Sequence, residues 1–261
     1  DGQPVIALHG WLDNASAFTR LAPLMPGLRI LALDFAGHGY SAHRPPGGSY
    51  LIWDNVLDVL MVAQSMGWER FSVVGHSMGA IVAVLLAAAM PERVERLALI
   101  DGLMPYTGEP DQAPAKLGEA LRAQLALSGK KKPVYSDVQL AVDARMKGVG
   151  SVTREAAEML ARRGLMPVSG GYTWRSDSRL TLASPVRLTR AHSVAFLRAV
   201  QCPVRLVLAQ SGMLAHEAGI LALLENLPYE VHTLAGGHHL HLDESPAEVA
   251  AVINRFLSRA D

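Results

Sequence analysis

Short runs of apolar residues recur along the chain, each closed by polar or glycine-rich residues. Six such runs stand out, at residues 4–8, 28–33, 71–74, 94–100, 204–209 and 229–234. Continuous apolar runs, unlike alternating ones, are typical of strands buried on both faces of a parallel sheet. The pattern therefore predicts six buried strands.

Segments with the apolar spacing of helices lie between these runs. We predict helices at residues 16–24, 50–66, 78–89, 214–224 and 246–257. Strands that alternate with helices form right-handed crossovers, which place helices on both faces of the sheet. The predicted class is α/β, with a doubly wound and mostly parallel sheet.

The alternation stops between residues 105 and 189. This segment has helix-like stretches at 113–127, 136–147 and 153–163, and no convincing buried strand. Open α/β sheets bind their ligands beyond the carboxyl ends of the strands. We therefore predict a core of residues 1–104 and 190–261, with residues 105–189 as a helical cap over that edge.

Composition narrows the classes of partner. Lys and Arg together number 24, as do Asp and Glu, so the formal net charge is zero and argues against nucleic acid as a partner. The lysines at 130–132 are interpreted as a solvated loop. No apolar stretch reaches the roughly 18 residues of a membrane span. The single cysteine, Cys202, cannot form an internal disulfide and is expected to be buried.

The sequence Gly75-His76-Ser77-Met78-Gly79 matches the pattern G-x-S-x-G. It directly follows the predicted strand at 71–74 and opens a helix rich in small residues. In that context the serine sits on a strained turn between strand and helix, and glycines are needed on both sides of it. We predict that Ser77 is a nucleophile.

A serine nucleophile needs N–H donors where negative charge develops on the substrate. We expect one from the backbone of Met78, the residue after the serine, and one from Trp11, in the loop after the first strand. His9, Gly10, His76, Met104 and Trp174 are the candidate substrate-binding residues. The segment around Trp174 could equally pack the cap on the core.

The general base is expected late in the chain, where residues 236–241 read Gly-Gly-His-His-Leu-His. His238 is the first choice, His239 is the alternative, and His241 is expected to be a structural partner. We expect no metal site, because the sequence shows no second set of ligands near this cluster.

The acid is not at the position where many hydrolases carry it. The fifth predicted strand is followed by residues 209–213, without a carboxylate before Glu217. Asp101 instead ends the strand after the nucleophile helix, from which it could orient His238. The alternative is that Asp101 only caps the start of the cap segment. Asp34 is expected to fix the turn at 37–39, and Asp243 follows His238 too closely to orient it.

Several of these stretches together resemble the α/β-hydrolase superfamily. They are His9-Gly10-Trp11, Asp34 with the turn at 37–41, the motif around Ser77 and the late Gly237-His238. Residues 8–15, 99–102 and 237–241 look closest to the serine hydrolase-like protein branch. The resemblance implies an eight-stranded sheet with a helical cap. Because this chain starts where the third strand would stand, we expect the first two strands to be absent.

The resemblance also bears on the reaction. It implies activity on esters or related acyl compounds. One group of haloalkane dehalogenases is similar in placing its acid where Asp101 stands. Those enzymes, like epoxide hydrolases, use an aspartate nucleophile where this chain has Ser77, which disfavours dehalogenation and epoxide opening.

Residues and resemblance together predict a carboxylesterase that forms an acyl-enzyme on Ser77 and uses no cofactor. We expect a small ester as substrate, a monomer or homodimer, and by default a cytoplasmic location. Two alternatives stay open. One is a non-catalytic ligand-binding protein on the same fold, and the other is a different reaction of the same triad, such as C–C bond, amide or lactone hydrolysis or perhydrolysis.

Overall fold

Eight strands occur in the computed structural model, which describes residues 2–127, 131–215 and 217–258. They are β1 (Gln3–Leu8), β2 (Leu28–Leu33), β3 (Phe71–His76), β4 (Val94–Ile100), β5 (Leu165–Val168), β6 (Gly171–Trp174), β7 (Val204–Ser211) and β8 (Tyr229–Gly237). Six of them, in the order β2-β1-β3-β4-β7-β8, form one sheet whose strand pairs are all parallel. The α/β-hydrolase prediction is confirmed.

Eight α-helices occur among the described residues, and those of the core pack on both faces of the sheet. They are α1 (Asp54–Ser65), α2 (Met78–Ala89), α3 (Ala113–Leu127), α4 (Val138–Met146), α5 (Arg154–Gly164), α6 (Arg190–Ala199), α7 (Ala218–Leu224) and α8 (Pro246–Leu257). Alternate residues of each strand enter opposite cores, as period-2 geometry requires. In β1, Val5 and Ala7 pack on the side of α8, whereas Ile6 and Leu8 pack on the side of α1 and α2.

The prediction of a helix at 16–24 is wrong. Two short 3₁₀ turns stand there, Ala15–Phe18 and Ala22–Leu24. The side chain of Asn14 caps the first turn by accepting the N–H of Ser16. Pro23 has no N–H to continue a helical hydrogen-bond ladder, which explains the second break.

The cap segment contains a hairpin that the sequence did not reveal. Strands β5 and β6 pair antiparallel, with Leu165 opposite Trp174. Gly170 in the turn has φ +88°, a conformation that favours glycine. Strands of four residues are too short to produce a clear alternating pattern. Helix α6, after the cap segment, was also missed by the apolar pattern.

Two arginines of the cap bind buried carboxylates of the core. Arg163 in α5 lies 2.8 Å from Asp34, and Arg145 in α4 lies 2.8 Å from Asp13. The N–H of Thr153, before α5, donates to Asp243 in the loop after β8. The cap is therefore tied to three separate loops at the carboxyl edge of the sheet, although its boundaries at 105 and 189 stay a prediction.

Two predicted segments include residues outside the described ranges. They are Lys130, in the predicted lysine loop, and His216, in the predicted helix at 214–224. Lys132, in the same loop, donates to the carbonyl of Trp174. Cys202 is half-buried, and burial raises the pKa of its thiol to about 11. Within residues 2–127, 131–215 and 217–258, no helix is both long and apolar enough to cross a membrane.

We predict that Gly79→Ala destabilises the protein by about 3 kcal/mol, because overpacking of a tight contact forces backbone shifts. A Cβ at Gly79 would stand 2.0 Å from the carbonyl oxygen of Leu8, where α2 crosses β1. Urea unfolding followed by circular dichroism measures the change.

Gly118→Ala in α3 is the matched control. Its Cβ would meet only the flexible side chain of Arg122, and alanine favours a helix interior over glycine by up to about 1 kcal/mol. Equal stability of the two variants would contradict the close-approach explanation.

Candidate active site

Ser77 lies on a strained turn between β3 and α2. Its φ of 52° and ψ of −116° are rare for a residue with a side chain. A Cβ at Gly75 would stand 2.5 Å from the carbonyl oxygen of Gly79, and Gly79 itself abuts Leu8. The two glycines of the motif are therefore required by contacts, and the turn presents Ser77 at the carboxyl edge of the sheet.

The structure brings Ser77, His238 and Asp101 into one hydrogen-bonded chain. His238 Nε2 lies 2.9 Å from Ser77 Oγ, and His238 Nδ1 lies 2.6 Å from Asp101 Oδ2. Since a carboxylate can only accept, Nδ1–H donates to Asp101, which leaves Nε2 to accept the serine hydroxyl. His239, the alternative base, points elsewhere and lies 3.0 Å from Asp13.

The carboxylate of Asp101 is held by the end of β7 and by the loop that follows it. The backbone N–H groups of Ala209 and Met213 donate to it, at 3.3 and 2.9 Å. A Cβ at Gly212 would stand 2.4 Å from the carboxylate. The loop that lacks an acid therefore supplies donors and space for the acid of the neighbouring strand. Asp101 itself has φ 41°, a second strained residue at this edge.

Trp11 and Met78, the two predicted oxyanion donors, both border the cavity beside Ser77. Among the described residues neither backbone N–H has a hydrogen-bond acceptor. The Trp11 indole donates to the carbonyl of Leu180, which ties this loop to the cap segment. The assignment of these two N–H groups as oxyanion donors stays a prediction.

Buried neutral histidines shape the loop that carries Trp11. His38 Nε2 accepts the N–H of Leu12, a residue with φ 60°, and burial, with the nearby His9, lowers the pKa of His38 to about 3. His9 Nε2 accepts the N–H of Phe35, and its Nδ1–H donates to the carbonyl of Gly10. Burial also lowers the pKa of His9.

A cavity of about 600 Å³ opens beside Ser77 and runs beneath the cap segment. Most of its lining is apolar: Ile52, Trp53, Met78, Ile81, Pro105, Tyr106, Val149, Leu180, Leu182, Val186, Leu188 and Met213. A pocket of this size and character suits a small organic molecule. Sequence reasoning missed all of this wall except Met78. Ile81 could have been found, because it lies one helical turn after Ser77.

Three of the five predicted substrate-binding residues, His9, Met104 and Trp174, are not among the residues that line the cavity. His9 is fully buried with both ring nitrogens bonded. Met104 packs against the outside of the core instead, and the ring of Trp174 packs against Gly164 within the cap. Gly10 does border the cavity. His76 borders it as well, but its buried Nε2–H donates to the carbonyl of His238, so its ring supports the loop of the base.

Sequence reasoning also missed the buried cluster on the other side of His238. Asp13 accepts from Arg145 at 2.8 Å and contacts His239. Burial alone would raise the pKa of Asp13, but His239 and Arg145 hold it well below the ordinary value. Asp13 lies within the stretch that carries the family resemblance, directly after the oxyanion loop, and that position is the signal that could have found it.

Comparisons with known proteins agree with this geometry. The family described as alpha/beta hydrolase fold matches residues 3–134. A probable serine hydrolase of Drosophila melanogaster is 35% identical over 99% of this chain and 82% of its own length. The crystal structure of a hypothetical protein from Pseudomonas aeruginosa PAO1 is 68% identical, covers 99% of this chain and 93% of its own, and gives a TM-score of 0.97.

A thioesterase domain from the curacin biosynthetic pathway is more distant. It is 27% identical, covers 97% of this chain and 92% of its own, and has a TM-score of 0.84. The family match spans half of the chain, and the fly relative is similar along nearly its whole length. With Ser77 on a G-x-S-x-G turn, the chain belongs to the α/β-hydrolase fold family, as a serine hydrolase.

Proposed function

We propose that this protein is a carboxylesterase that hydrolyses small carboxylic esters through an acyl-enzyme on Ser77. The observation that carries the proposal is the continuous hydrogen-bonded chain from Ser77 Oγ through His238 to Asp101. A nucleophile, a base and an orienting acid in that order are the requirements of two-step acyl transfer.

In the first step, Ser77 Oγ attacks the ester carbonyl carbon while His238 Nε2 takes the hydroxyl proton. The developing oxyanion accepts from the N–H groups of Trp11 and Met78. Asp101 stabilises the imidazolium through the 2.6 Å hydrogen bond. His238 then protonates the leaving alkoxide, and the alcohol departs.

In the second step, water attacks the acyl-enzyme along the same route. His238 accepts a proton from that water, and Ser77 leaves as its hydroxyl when the proton returns to Oγ. The same two N–H groups hold the second oxyanion. The free acid is released and the resting arrangement of Ser77 and His238 is restored.

The cavity supports a modest, uncharged acyl group. Its walls are mainly aliphatic and aromatic, and Asp13, its buried acidic residue, already pairs with Arg145. Arg187, which also borders the cavity, is exposed to solvent. A matched oxoester and thioester of one short acyl acid should both be tested, because the thioesterase domain described above shares the fold at 27% identity.

We predict that Ser77→Ala lowers kcat for a short p-nitrophenyl ester by about 10⁶-fold, since removing the nucleophile removes the acyl-enzyme route. A fluorophosphonate probe should label the wild-type protein covalently and leave the variant unlabelled. Labelling of the wild type without turnover of the p-nitrophenyl ester or of the matched oxoester and thioester would instead support the non-catalytic ligand-binding alternative. Full activity of Ser77→Ala would exclude the proposal.

We predict that Asp101→Asn lowers kcat by about 10⁴-fold, because the amide cannot hold His238 in the reactive tautomer. The matched control is Asp177→Asn. Asp177 is another buried carboxylate, bonded to Arg179 and Tyr50 rather than to the triad. Its kcat should stay within a few-fold of the wild type, and equal losses in both variants would argue against the assigned acid.

Buried histidines make the free energy of unfolding of this protein decrease at acid pH. Burial, with neighbouring histidines, lowers the pKa of His38 and of His241 to about 3 in the folded protein, from an ordinary 6.5. The unfolded chain therefore binds more protons between those values. The stability that these neutral histidines contribute is therefore fully present above about pH 6.5 and is lost as the pH falls toward 3.

We predict that the free energy of unfolding falls from pH 7 to pH 4.5 by up to ~1.4 kcal/mol per pH unit for each such histidine. His241→Phe should reduce the dependence of the free energy of unfolding on pH by the contribution of one titrating histidine. His241 is fully buried beside Phe18, and neither of its nitrogens has a partner among the described residues. Urea unfolding at pH 7, 6 and 5 measures both slopes. An unchanged slope would show that His241 is not among the proton acceptors.

A further inference from the structure

A second cluster of polar side chains borders the cavity beside Ser77. It consists of Asp13, His76 and His239, all three of them buried. Asp13 Oδ2 lies 3.0 Å from His239 Nε2 and 3.9 Å from His76 Nδ1, and the three atoms lie within 4.8 Å of one another. None of them takes part in the proposed acyl transfer, so the cluster needs its own explanation.

His76 has the arrangement of an imidazole ready to bind a metal ion. Its Nε2–H donates to the carbonyl of His238 at 2.9 Å, which fixes the tautomer and leaves the Nδ1 lone pair exposed to the cluster. Among the described residues this buried Nδ1 has no hydrogen-bond partner. Metal-binding histidines usually donate their other N–H to a carbonyl or carboxylate in this way.

Asp13 supplies the charge that a cation requires. Arg145 occupies its Oδ1 at 2.8 Å, so Oδ2 is the atom that faces the two rings. His239 Nε2 lies between this oxygen and Arg145 Nη2, at 3.0 and 3.2 Å. In a neutral ring that nitrogen cannot both donate to Asp13 and accept from Arg145. A cation bound to Oδ2 and Nε2 replaces the Nε2–H that otherwise donates to Asp13, and the ring proton then resides on Nδ1, a buried atom without a partner among the described residues.

We propose that Asp13, His76 and His239 bind a divalent transition-metal ion of the zinc class, and that the bound ion inhibits the enzyme. Two imidazoles and one carboxylate suit zinc, whereas magnesium prefers an all-oxygen set. Ligand atoms about 2.0–2.2 Å from a tetrahedral ion lie about 3.4 Å apart. His76 Nδ1 and Asp13 Oδ2 are 3.9 Å apart, so these side chains must move closer together to bind the ion. The fourth position of the ion opens on the cavity.

Inhibition follows from the position of the cluster. The ring centroid of His238 lies 4.7 Å from that of His76 and 5.1 Å from that of His239. A dipositive charge at this distance opposes the imidazolium that His238 must become during acyl transfer. A Cβ at Gly10 would stand 3.0 Å from both Asp13 Oδ2 and His76 Nδ1, so the ion also crowds the loop that carries Trp11.

The expectation of no metal site rested on the lack of a second set of ligands near the late histidines. Folding supplies that set from the loop after β1 and from the end of β3. The inhibitory effect rests on the proposed esterase activity, but binding of the ion does not, and the two are measured separately.

The experiment uses the chelator-treated full chain. Calorimetric titration with ZnCl₂ should show one ion bound per chain, MgCl₂ should show none, and excess EDTA should restore esterase activity. Asp13→Asn and His239→Gln should each weaken zinc binding at least about tenfold. His232→Gln, which removes a histidine of β8 outside the cluster, should bind zinc like the wild type. Near-ultraviolet circular dichroism confirms that each variant is folded.

Zinc could instead bind to His238 itself, and His238→Ala separates the two sites. The proposed site predicts that this variant, although inactive, still binds one zinc ion. Loss of binding in His238→Ala with normal binding in Asp13→Asn and His239→Gln would overturn the proposal, as would a wild type that binds no zinc. Stoichiometric binding with the expected variant pattern in a protein without esterase activity would uphold the metal site and refute only the proposed function.

Discussion

The close approach of backbone around Ser77 is the constraint on which this structure depends. Helix α2 crosses β1 so closely that Gly79 touches the carbonyl of Leu8, and Gly102 after β4 lies against the carbonyl of Ser77 in the same way. Contacts this short exclude any side chain at these positions. They hold a nucleophile in a conformation that it would not adopt alone, and packing of the sheet offsets the cost of that strain.

The candidate active site forms at the carboxyl edge of the sheet. Because the strands are parallel, the ends of β3, β4 and β8 meet there, and each contributes one member of the chain Ser77, Asp101 and His238. The end of β7 and the loop after it contribute no acid but hold Asp101 with one backbone N–H group each. Acid and base therefore come from strands that are separated in the sheet by β7.

Charge is arranged around this edge so that rigid groups stay neutral and charged groups are paired. His9, His38, His76 and His241 are buried, and burial lowers the pKa of each ring, so they act as fixed hydrogen-bonding or packing groups. The buried carboxylates Asp13 and Asp34 are paired with arginines that come from the cap. The cap therefore contacts the core through the same loops that form the site. Because Trp11 lies in one of these loops, a shift of the cap would also shift this predicted oxyanion donor.

Much of this was readable from the sequence, for identifiable reasons. All six strands of the sheet coincide with predicted runs, although β8, at the sheet edge, alternates between exposed and partly buried residues. Helix α8 begins and ends where its pattern predicts. Ser77 and Asp101 follow directly after strands, so the topology alone places them at one edge. The helix expected at 16–24 failed because local capping by Asn14 and the missing N–H of Pro23 override apolar spacing. The hairpin in the cap was too short to leave a signal.

The sequence by itself determined the fold, the serine on its turn, and the set of residues at the carboxyl edge of the sheet, because these follow from periodicity and from order along the chain. Only the tertiary structure decided where side chains point. It buried His9, packed Met104 against the outside of the core, placed Trp174 within the cap, chose His238 over His239 as the partner of Ser77, and gathered Asp13, His76 and His239. Those outcomes depend on packing between segments far apart in sequence, which no local pattern records.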